Sequence, residues 1–328
     1  MKWRYRRWSP PFDPARKNPL RWIKAGGRPP LQRWSGSDRS PAMSQPVSSA
    51  LTGIRDVFVG IAVENESDRD SPAVGYGLSL ARAAGAHLTL QSASWRLYGD
   101  NRWISGFDDG TVADIDRRLD RLARAIAERT AGDAAQAGVV CTTETPSLHY
   151  PAIIHRLAEQ ARLHDLAILD ALVWTCDLDR EAIETTLFKS GRPVIAVPPG
   201  HTGFAGRRII VSWDGSAQAA RAANDALPFL RAAEAVEIVS IGDAAEIRDS
   251  VPGAEFAPHL ARHGVNVTVN NLPVSGSIGE TLRSQAGLFR ADLIVMGAYR
   301  HSRARQFFFG GVTRSLLRSC PVPLFLSR

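Results

Sequence analysis

Cysteine is scarce in this chain, and long apolar runs are missing. The three cysteines, Cys141, Cys176 and Cys320, are far apart, odd in number and without C-x-x-C spacing, so they indicate neither a disulfide framework nor a cysteine zinc site. No apolar run approaches the roughly 18–20 residues needed to cross a bilayer. The basic N-terminus has no apolar segment behind it that would make it a secretory signal. We therefore expect a reduced, cytoplasmic protein with inert thiols and no membrane association.

Motifs that carry catalysis are also missing. The sequence has no G-x-S-x-G nucleophile elbow, no Walker lysine motif and no nucleophile with an evident base. His259 and His263 have the i,i+4 spacing of a metal pair, but no glutamate or third ligand accompanies them, so we interpret them as surface histidines. We accordingly expect neither enzyme activity nor a metal site.

Basic charge is concentrated at the N-terminus. Residues 1–42 hold eleven of the 40 Lys and Arg, two of the 33 Asp and Glu, and four of the eight Trp, which leaves the rest of the chain close to neutral. Because this region is rich in Arg, Pro and Gly without periodic apolar residues, residues 1–50 are predicted to be a disordered basic tail. One interpretation is an arm for nucleic acid or an anionic surface. The other is that translation starts at Met43.

The rest of the chain alternates short apolar runs with segments of helical periodicity, which is the pattern of β-α-β units and a parallel sheet. In the first set, strands are predicted at 56–63, 87–93, 138–144, 165–171 and 192–198, with helices from Pro72 to Gly85, over 112–126 and after Pro151. In the second set, strands are predicted from Arg207 and at 235–241, 265–273, 291–298 and 322–327, with helices over 217–233 and 254–263, from Ser277 and from about Val312. The helix after Ser277 is expected to place Ile278, Leu282 and Phe289 on one side.

The second set repeats the first. The landmarks HDLAILDA…GRPVIAVP and ADLIVMGA…CPVPLFLS indicate an internal duplication, with residues 198–206 as the linker. The predicted fold class is α/β, with two tandem open five-stranded parallel-sheet domains at 51–198 and 207–328. Their apolar fifth strands would be exposed edges if left alone. We therefore expect them to pair as an intramolecular pseudo-dimer, and the chain could also form a homodimer.

Residues 51–328 resemble a tandem universal stress protein. The stretches that carry the resemblance are IIVSWDGS, ADLIVMGA, GGVTRSLL and the final CPVPLFLS. The resemblance implies a five-stranded parallel α/β fold that pairs through its last strands and often binds ATP. It also implies a nucleotide loop of the form G-x2-G-x9-G-[ST] after the fourth strand, and an aspartate at the end of the first.

The second set matches this nucleotide pattern only in part. Gly297 matches the first glycine, Arg300 replaces the second, Gly310 matches the third and Gly311 replaces the Ser or Thr, while Asp214 matches the aspartate. These five residues are the candidate cofactor-binding residues, and ATP is the candidate cofactor. The glycine pair before a helix is typical of an anion site and equally of a plain turn. The Asp-Gly sequence could likewise hold a ribose or adenine edge, or simply form a turn that leads into a helix cap.

The first set departs further from the pattern. Counting along its first strand puts Ala62 opposite Asp214, and the segment after LAILDA has four acidic residues and no glycine before Gly191. This domain is therefore predicted to be a structural partner with a degenerate loop.

Taken together, these features predict a non-enzymatic stress-response module with at most weak adenine-nucleotide or anion binding in the C-terminal domain. The alternatives are an ATP-binding switch or slow ATP hydrolase that uses the same domain, and nucleic-acid binding through the basic tail. A protein client is possible, but the sequence does not identify one.

Overall fold

The computed structural model describes residues 51–65, 70–97, 109–171, 178–243, 252–298, 311–319 and 321–328. These residues belong to one compact unit, Val47–Arg328. Their helices and strands form two successive sets, which we call the N-terminal half (residues 51–198) and the C-terminal half (residues 206–328). The predicted basic tail lies outside the described residues.

The N-terminal half contains six strands and four helices among its described residues. The strands are β1 (Asp56–Val63), β2 (His87–Trp95), β3 (Cys141–Glu144), β4 (Ser147–Leu148), β5 (Leu166–Asp170) and β6 (Val194–Val197). The helices are α1 (Pro72–Ala84), α2 (Asp109–Gln136), α3 (Tyr150–Ala161) and α4 (Leu178–Ser190). Helix α4 lies in the acid-rich segment to which the sequence analysis assigned no element, because its few apolar residues are interspersed with charges. Strand β4 was also not predicted, because two residues are too few to show a strand pattern.

The C-terminal half repeats this arrangement. Its strands are β7 (Arg208–Ser212), β8 (Ala235–Gly242), β9 (Val267–Pro273), β10 (Leu293–Gly297) and β11 (Leu324–Ser327). Its described helices are α5 (Ala217–Asp225), α6 (Leu227–Ala232), α7 (Ala257–Arg262), α8 (Ile278–Phe289) and α9 (Gly311–Ser319).

Two details of the predicted helices in this half were wrong. The predicted helix over 217–233 is divided at Ala226, because Pro228 near the start of α6 has no N–H to continue the hydrogen bonds of α5. Ile278 is 39% exposed, whereas Leu282 is fully buried. Ile278 is the first residue of α8, so it lies at the N-terminal end of the helix. The buried face of the helix instead includes Leu282, Gln285 and Ala286.

All the described strands belong to one sheet. Its order is β3-β2-β1-β5-β6-β11-β10-β7-β8-β9, and β4 pairs with β2 beside this path. Neighbouring strands are parallel within each half, while β6 and β11 are antiparallel, with Leu324 opposite Ala196. The predicted α/β class and the predicted pairing of the fifth strands are therefore confirmed. The two five-stranded sheets are joined into a single sheet.

A column of four aromatic rings crosses the junction between the halves. It runs from Tyr76 of α1 through Phe204 of the linker to Phe229 of α6 and Phe325 of β11. The centroids of successive rings are 5.8, 5.8 and 5.6 Å apart. Apart from the partly exposed Phe204, these rings are almost completely buried. Aromatic packing thus supplements the strand pairing that joins the halves.

The duplication extends to individual hydrogen bonds. Asp165, just before β5, accepts hydrogen bonds from the backbone N–H groups of residues 55 and 56 at 2.7 and 3.0 Å. Asp292, just before β10, accepts them from residues 207 and 208 at 2.8 and 3.2 Å. Each carboxylate thereby fixes the start of the first strand of its half against the fourth. Matching positions in the two halves can therefore be assigned from sheet register.

Candidate ligand site at the switch point of the C-terminal half

Strands β7 and β10 lie side by side, but the chain leaves them in opposite directions. Ser212 of β7 is opposite Met296 of β10, and the two strands are parallel. From β7 the chain continues to β8 on one side, whereas from β10 it continues to β11 on the other. In open α/β sheets such a switch point creates a crevice beyond the carboxyl ends of the strands, where ligands bind.

Asp214 lies at this edge, two residues beyond the end of β7. Its Oδ1 accepts a hydrogen bond from the N–H of Ser216 at 3.0 Å, and the intervening Gly215 has a φ of +70°. Ser216 in turn caps α5, since its Oγ accepts a hydrogen bond from the N–H of Ala219 at 3.1 Å. This is the turn that the Asp-Gly sequence favours. The residue is nevertheless exposed, so turn formation does not remove it from solvent.

Gly297 ends β10, the strand next to β7. A Cβ at this position would lie 2.5 Å from the backbone nitrogen of Ala219 and 2.5 Å from the carbonyl carbon of Gln218. The first turn of α5 therefore packs directly on the glycine. Close helix packing accounts for this residue independently of any ligand.

Gly311 is the first residue of α9, and it is exposed. Among the described residues, a Cβ added there would meet no heavy atom within 4 Å. The described part of the chain thus brings Asp214 and Gly297 to one edge of the sheet and starts a helix at Gly311. The other two candidates, Arg300 and Gly310, lie outside the described residues.

Trp213 lies between β7 and Asp214 and belongs to none of the motifs that mark the candidate residues. Its ring is stacked on Phe256 with centroids 4.1 Å apart and planes 12° from parallel, and its Nε1 donates to Glu255 at 3.1 Å. Hydrogen bonds, first from its own backbone N–H and also from Trp213, lower the pKa of Glu255. A tryptophan beside an Asp-Gly turn was the only signal in the sequence. The stack fixes the residue that precedes Asp214.

His259 and His263 each have a partner other than a metal ion. His259 Nε2 is 3.0 Å from Asn224 Oδ1, and His263 Nδ1 is 2.9 Å from a guanidinium nitrogen of Arg231. In the described residues there is no cluster of three or more His, Cys, Asp or Glu side chains suited to a metal ion. Within the same ranges, no helix has the length and apolar character required to cross a membrane.

Comparisons with known proteins identify the fold. Residues 206–328 match the universal stress protein family. A universal stress protein from Archaeoglobus fulgidus is 13% identical in sequence, with a TM-score of 0.60 over 86% of this chain and 99% of its own. A putative universal stress protein from Pseudomonas aeruginosa is 14% identical, with a TM-score of 0.53 over 85% of this chain and 94% of its own. A search of curated protein sequences gave no significant match.

These similarities agree with the topology. Each half has the strand order third, second, first, fourth, fifth, with β4 added beside β2 in the N-terminal half. Residues 206–328 thus match the universal stress protein family in sequence, and the chain carries the same fold a second time in its N-terminal half.

Proposed function

We propose that this protein is a non-enzymatic stress-response module that binds an adenine nucleotide or another anion weakly at the switch point of the C-terminal half. The observation that supports this most strongly is the position of Asp214 and Gly297 at the carboxyl ends of β7 and β10, the two strands from which the chain diverges. Ligands of open α/β sheets bind at such a point.

The chemistry of the candidate residues explains why binding would be weak. Asp214 is acidic and suits hydroxyl or amino groups of a nucleoside rather than a phosphate. The Ala219 N–H of α5 is already capped by Ser216 and is not free for an anion. Gly311 lacks the hydroxyl that the family pattern places there, a loss of about 0.5–1.5 kcal/mol for one hydrogen bond. Arg300 adds positive charge but cannot provide the backbone freedom of glycine.

The hydroxyl missing at Gly311 gives a direct test. Gly311→Ser should strengthen ATP binding from the high micromolar range by about 2- to 12-fold, the equivalent of one hydrogen bond. In the part of the chain that the structure describes, a Cβ added at Gly311 meets no heavy atom within 4 Å. Gly311→Ala is the matched control, since it adds the same Cβ without the hydroxyl and should leave affinity unchanged. Isothermal titration calorimetry at physiological salt measures all three proteins.

Two results would contradict the proposal. Equal ATP affinity in the serine and alanine variants would mean that no phosphate lies near residue 311. Low-micromolar binding by the unmodified protein, weakened by Arg300→Gly, would mean that the arginine is an effective phosphate ligand. Phosphate release from ATP in the same samples would favour the hydrolase alternative. DNA binding that weakens steeply with salt would favour the basic tail.

A further inference from the structure

The N-terminal half has its own switch point, at β1 and β5. These strands are parallel neighbours, with Val57 opposite Leu166, and the chain leaves them for β2 on one side and β6 on the other. In the C-terminal half the matching pair is Ile209 opposite Leu293. Counting forward four residues from Leu166 and from Leu293 reaches Asp170 and Gly297. The same position thus carries a carboxylate in one half and no side chain in the other.

Asp170 reaches the N-terminus of helix α1. Its Oδ2 accepts a hydrogen bond from Ser71 Oγ at 2.6 Å, and its Oδ1 accepts one from the backbone N–H of Ala73 at 2.8 Å. Ser71, which precedes the helix, is 6% exposed, and its side chain makes no capping bond to its own helix. The first turn of α1 contains no acidic residue. The cap of this helix therefore comes from the end of a strand 99 residues away.

The corresponding helix of the C-terminal half is capped differently. Ser216 accepts the hydrogen bond from Ala219 within α5 itself, and Gly297 contributes no carboxylate. Both halves therefore place a helix N-terminus beside the carboxyl end of the fourth strand, but among the described residues only the fourth strand of the N-terminal half supplies a carboxylate to that helix.

The charge matters because a helix N-terminus attracts anions. Its unpaired N–H groups and the helix dipole favour negative charge, and phosphate groups bind there in many α/β proteins. Asp170 satisfies those groups as a bound anion would. It also places a negative charge at the carboxyl ends of β1 and β5, where a phosphate would have to approach.

We propose that Asp170 takes the place of an anionic ligand in the N-terminal half and closes that half to phosphates. That the C-terminal half keeps an open ligand site rests on the function proposed above. The role of Asp170 itself rests only on its contacts with Ser71 and Ala73. The N-terminal half is thus kept permanently in a liganded form by a residue of the chain.

The proposal is tested by removing the carboxylate and offering an anion in its place. Asp170→Ala should lower the melting temperature of the full chain by roughly 2–4 °C, the effect of losing a helix cap. Rising concentrations of inorganic phosphate should then restore stability to this variant well beyond any gain in the unmodified protein. Sodium chloride at the same ionic strength should not. Asp170→Asn is the matched control, because it fills the same space without charge and should show no added phosphate dependence.

The comparison separates this proposal from the proposed function. A phosphate site in the C-terminal half affects all the variants equally, so its presence or absence cancels in the difference. Phosphate gains that are the same in the alanine variant, the asparagine variant and the unmodified protein would overturn the role of Asp170. If Asp170→Ala does not fold, Asp170→Ser replaces it, since serine is also smaller and neutral, and the same outcomes apply.

Discussion

Gly297 illustrates at the residue scale how a missing side chain sets the distance between a helix and a strand. A Cβ added to Gly297 would lie 2.5 Å from backbone atoms of α5. These atoms cannot rotate away as those of a flexible side chain could. We expect Gly297→Ala to force α5 outward and to lower the free energy of unfolding by about 1–3 kcal/mol, the usual range for overpacking. Urea denaturation measures the change.

Gly311→Ala is the control for this substitution, because its added Cβ meets no heavy atom of the described residues within 4 Å. We expect its stability to stay close to that of the unmodified protein. If Gly297→Ala were as stable as Gly311→Ala, the close packing of α5 on β10 would not require glycine, and a ligand-related reason for Gly297 would gain weight.

Asp292 gives a pH dependence that can be assigned to one carboxyl group. Burial raises its pKa above the ordinary value of 3.8, although the hydrogen bonds from the N–H groups of residues 207 and 208 act in the opposite direction. The folded protein therefore holds this proton more tightly than the unfolded chain does. The contribution of protonated Asp292 to stability is complete below the ordinary pKa, and it is lost as the pH rises through the higher pKa of the folded state.

Asp292→Asn should remove that part of the pH dependence. In the unmodified protein, the contribution of Asp292 to the free energy of unfolding decreases as the pH rises above 3.8. In the asparagine variant, the free energy of unfolding should decrease less over the same pH range, even if lost hydrogen bonds reduce its stability at every pH. Urea denaturation over a series of acidic pH values measures both slopes. Parallel curves for the two proteins would show that the pKa of Asp292 is not raised on folding.

At the scale of elements, the linker is an integral part of the packing. The backbone N–H of Phe204 donates to Ser79 Oγ of α1 at 3.2 Å, while its ring lies between Tyr76 and Phe229. His201 Nε2 is 2.7 Å from the carbonyl oxygen of Pro321, which precedes β11. The linker therefore contacts both halves along its length.

Phe204→Ala should weaken the junction between the halves. We expect a loss of about 1–3 kcal/mol in the free energy of unfolding, less than for a fully buried phenylalanine because this ring is partly exposed. Phe204→Leu is the matched control, since it keeps most of the apolar volume and should cost less. Thermal denaturation followed by circular dichroism compares the two. Equal losses would indicate that the ring does not bridge Tyr76 and Phe229.

At the scale of the whole molecule, the seam between β6 and β11 makes one sheet out of two. Every residue of β6 is buried, and so is every residue of β11. Their backbone groups pair across the seam, with Phe325 opposite Ile195. Separating the halves would expose two apolar strand edges with unpaired N–H and C=O groups.

We therefore expect the two halves to associate when they are expressed separately as residues 51–198 and 207–328. Each piece should bind either the other piece or a second copy of itself. Light scattering coupled to size-exclusion chromatography measures the mass of each piece and of the mixture. Association of the mixed pieces at the mass of one full chain is the expected result, and the unmodified chain provides the reference mass. Pieces that stay monomeric and do not combine would contradict a seam that holds the halves together.

Most of the architecture could be predicted from the order of the amino acids. Short apolar runs located the ten main strands to within a few residues, because such a run is a local property of each segment. The repeated landmarks revealed the duplication, and the resemblance placed Asp214 and Gly297 at the strand ends where the sheet has them. The sequence could not assign α4 or the division between α5 and α6, because tertiary burial selects those residues more than periodicity does.

The contacts of the residues at the two switch points could not be predicted in this way, because they form between distant segments of the folded chain. Asp170 reads in the sequence as the end of an apolar run, yet it accepts a hydrogen bond from Ser71, 99 residues earlier in the chain, at the start of a helix. Gly297 reads as a loop glycine, yet its missing Cβ admits the backbone of α5. Trp213 acquires its stacking partner from α7's N-terminal side, at Phe256. Contacts between residues so distant in the chain leave no periodic pattern, because they depend on how the helices settle on the finished sheet.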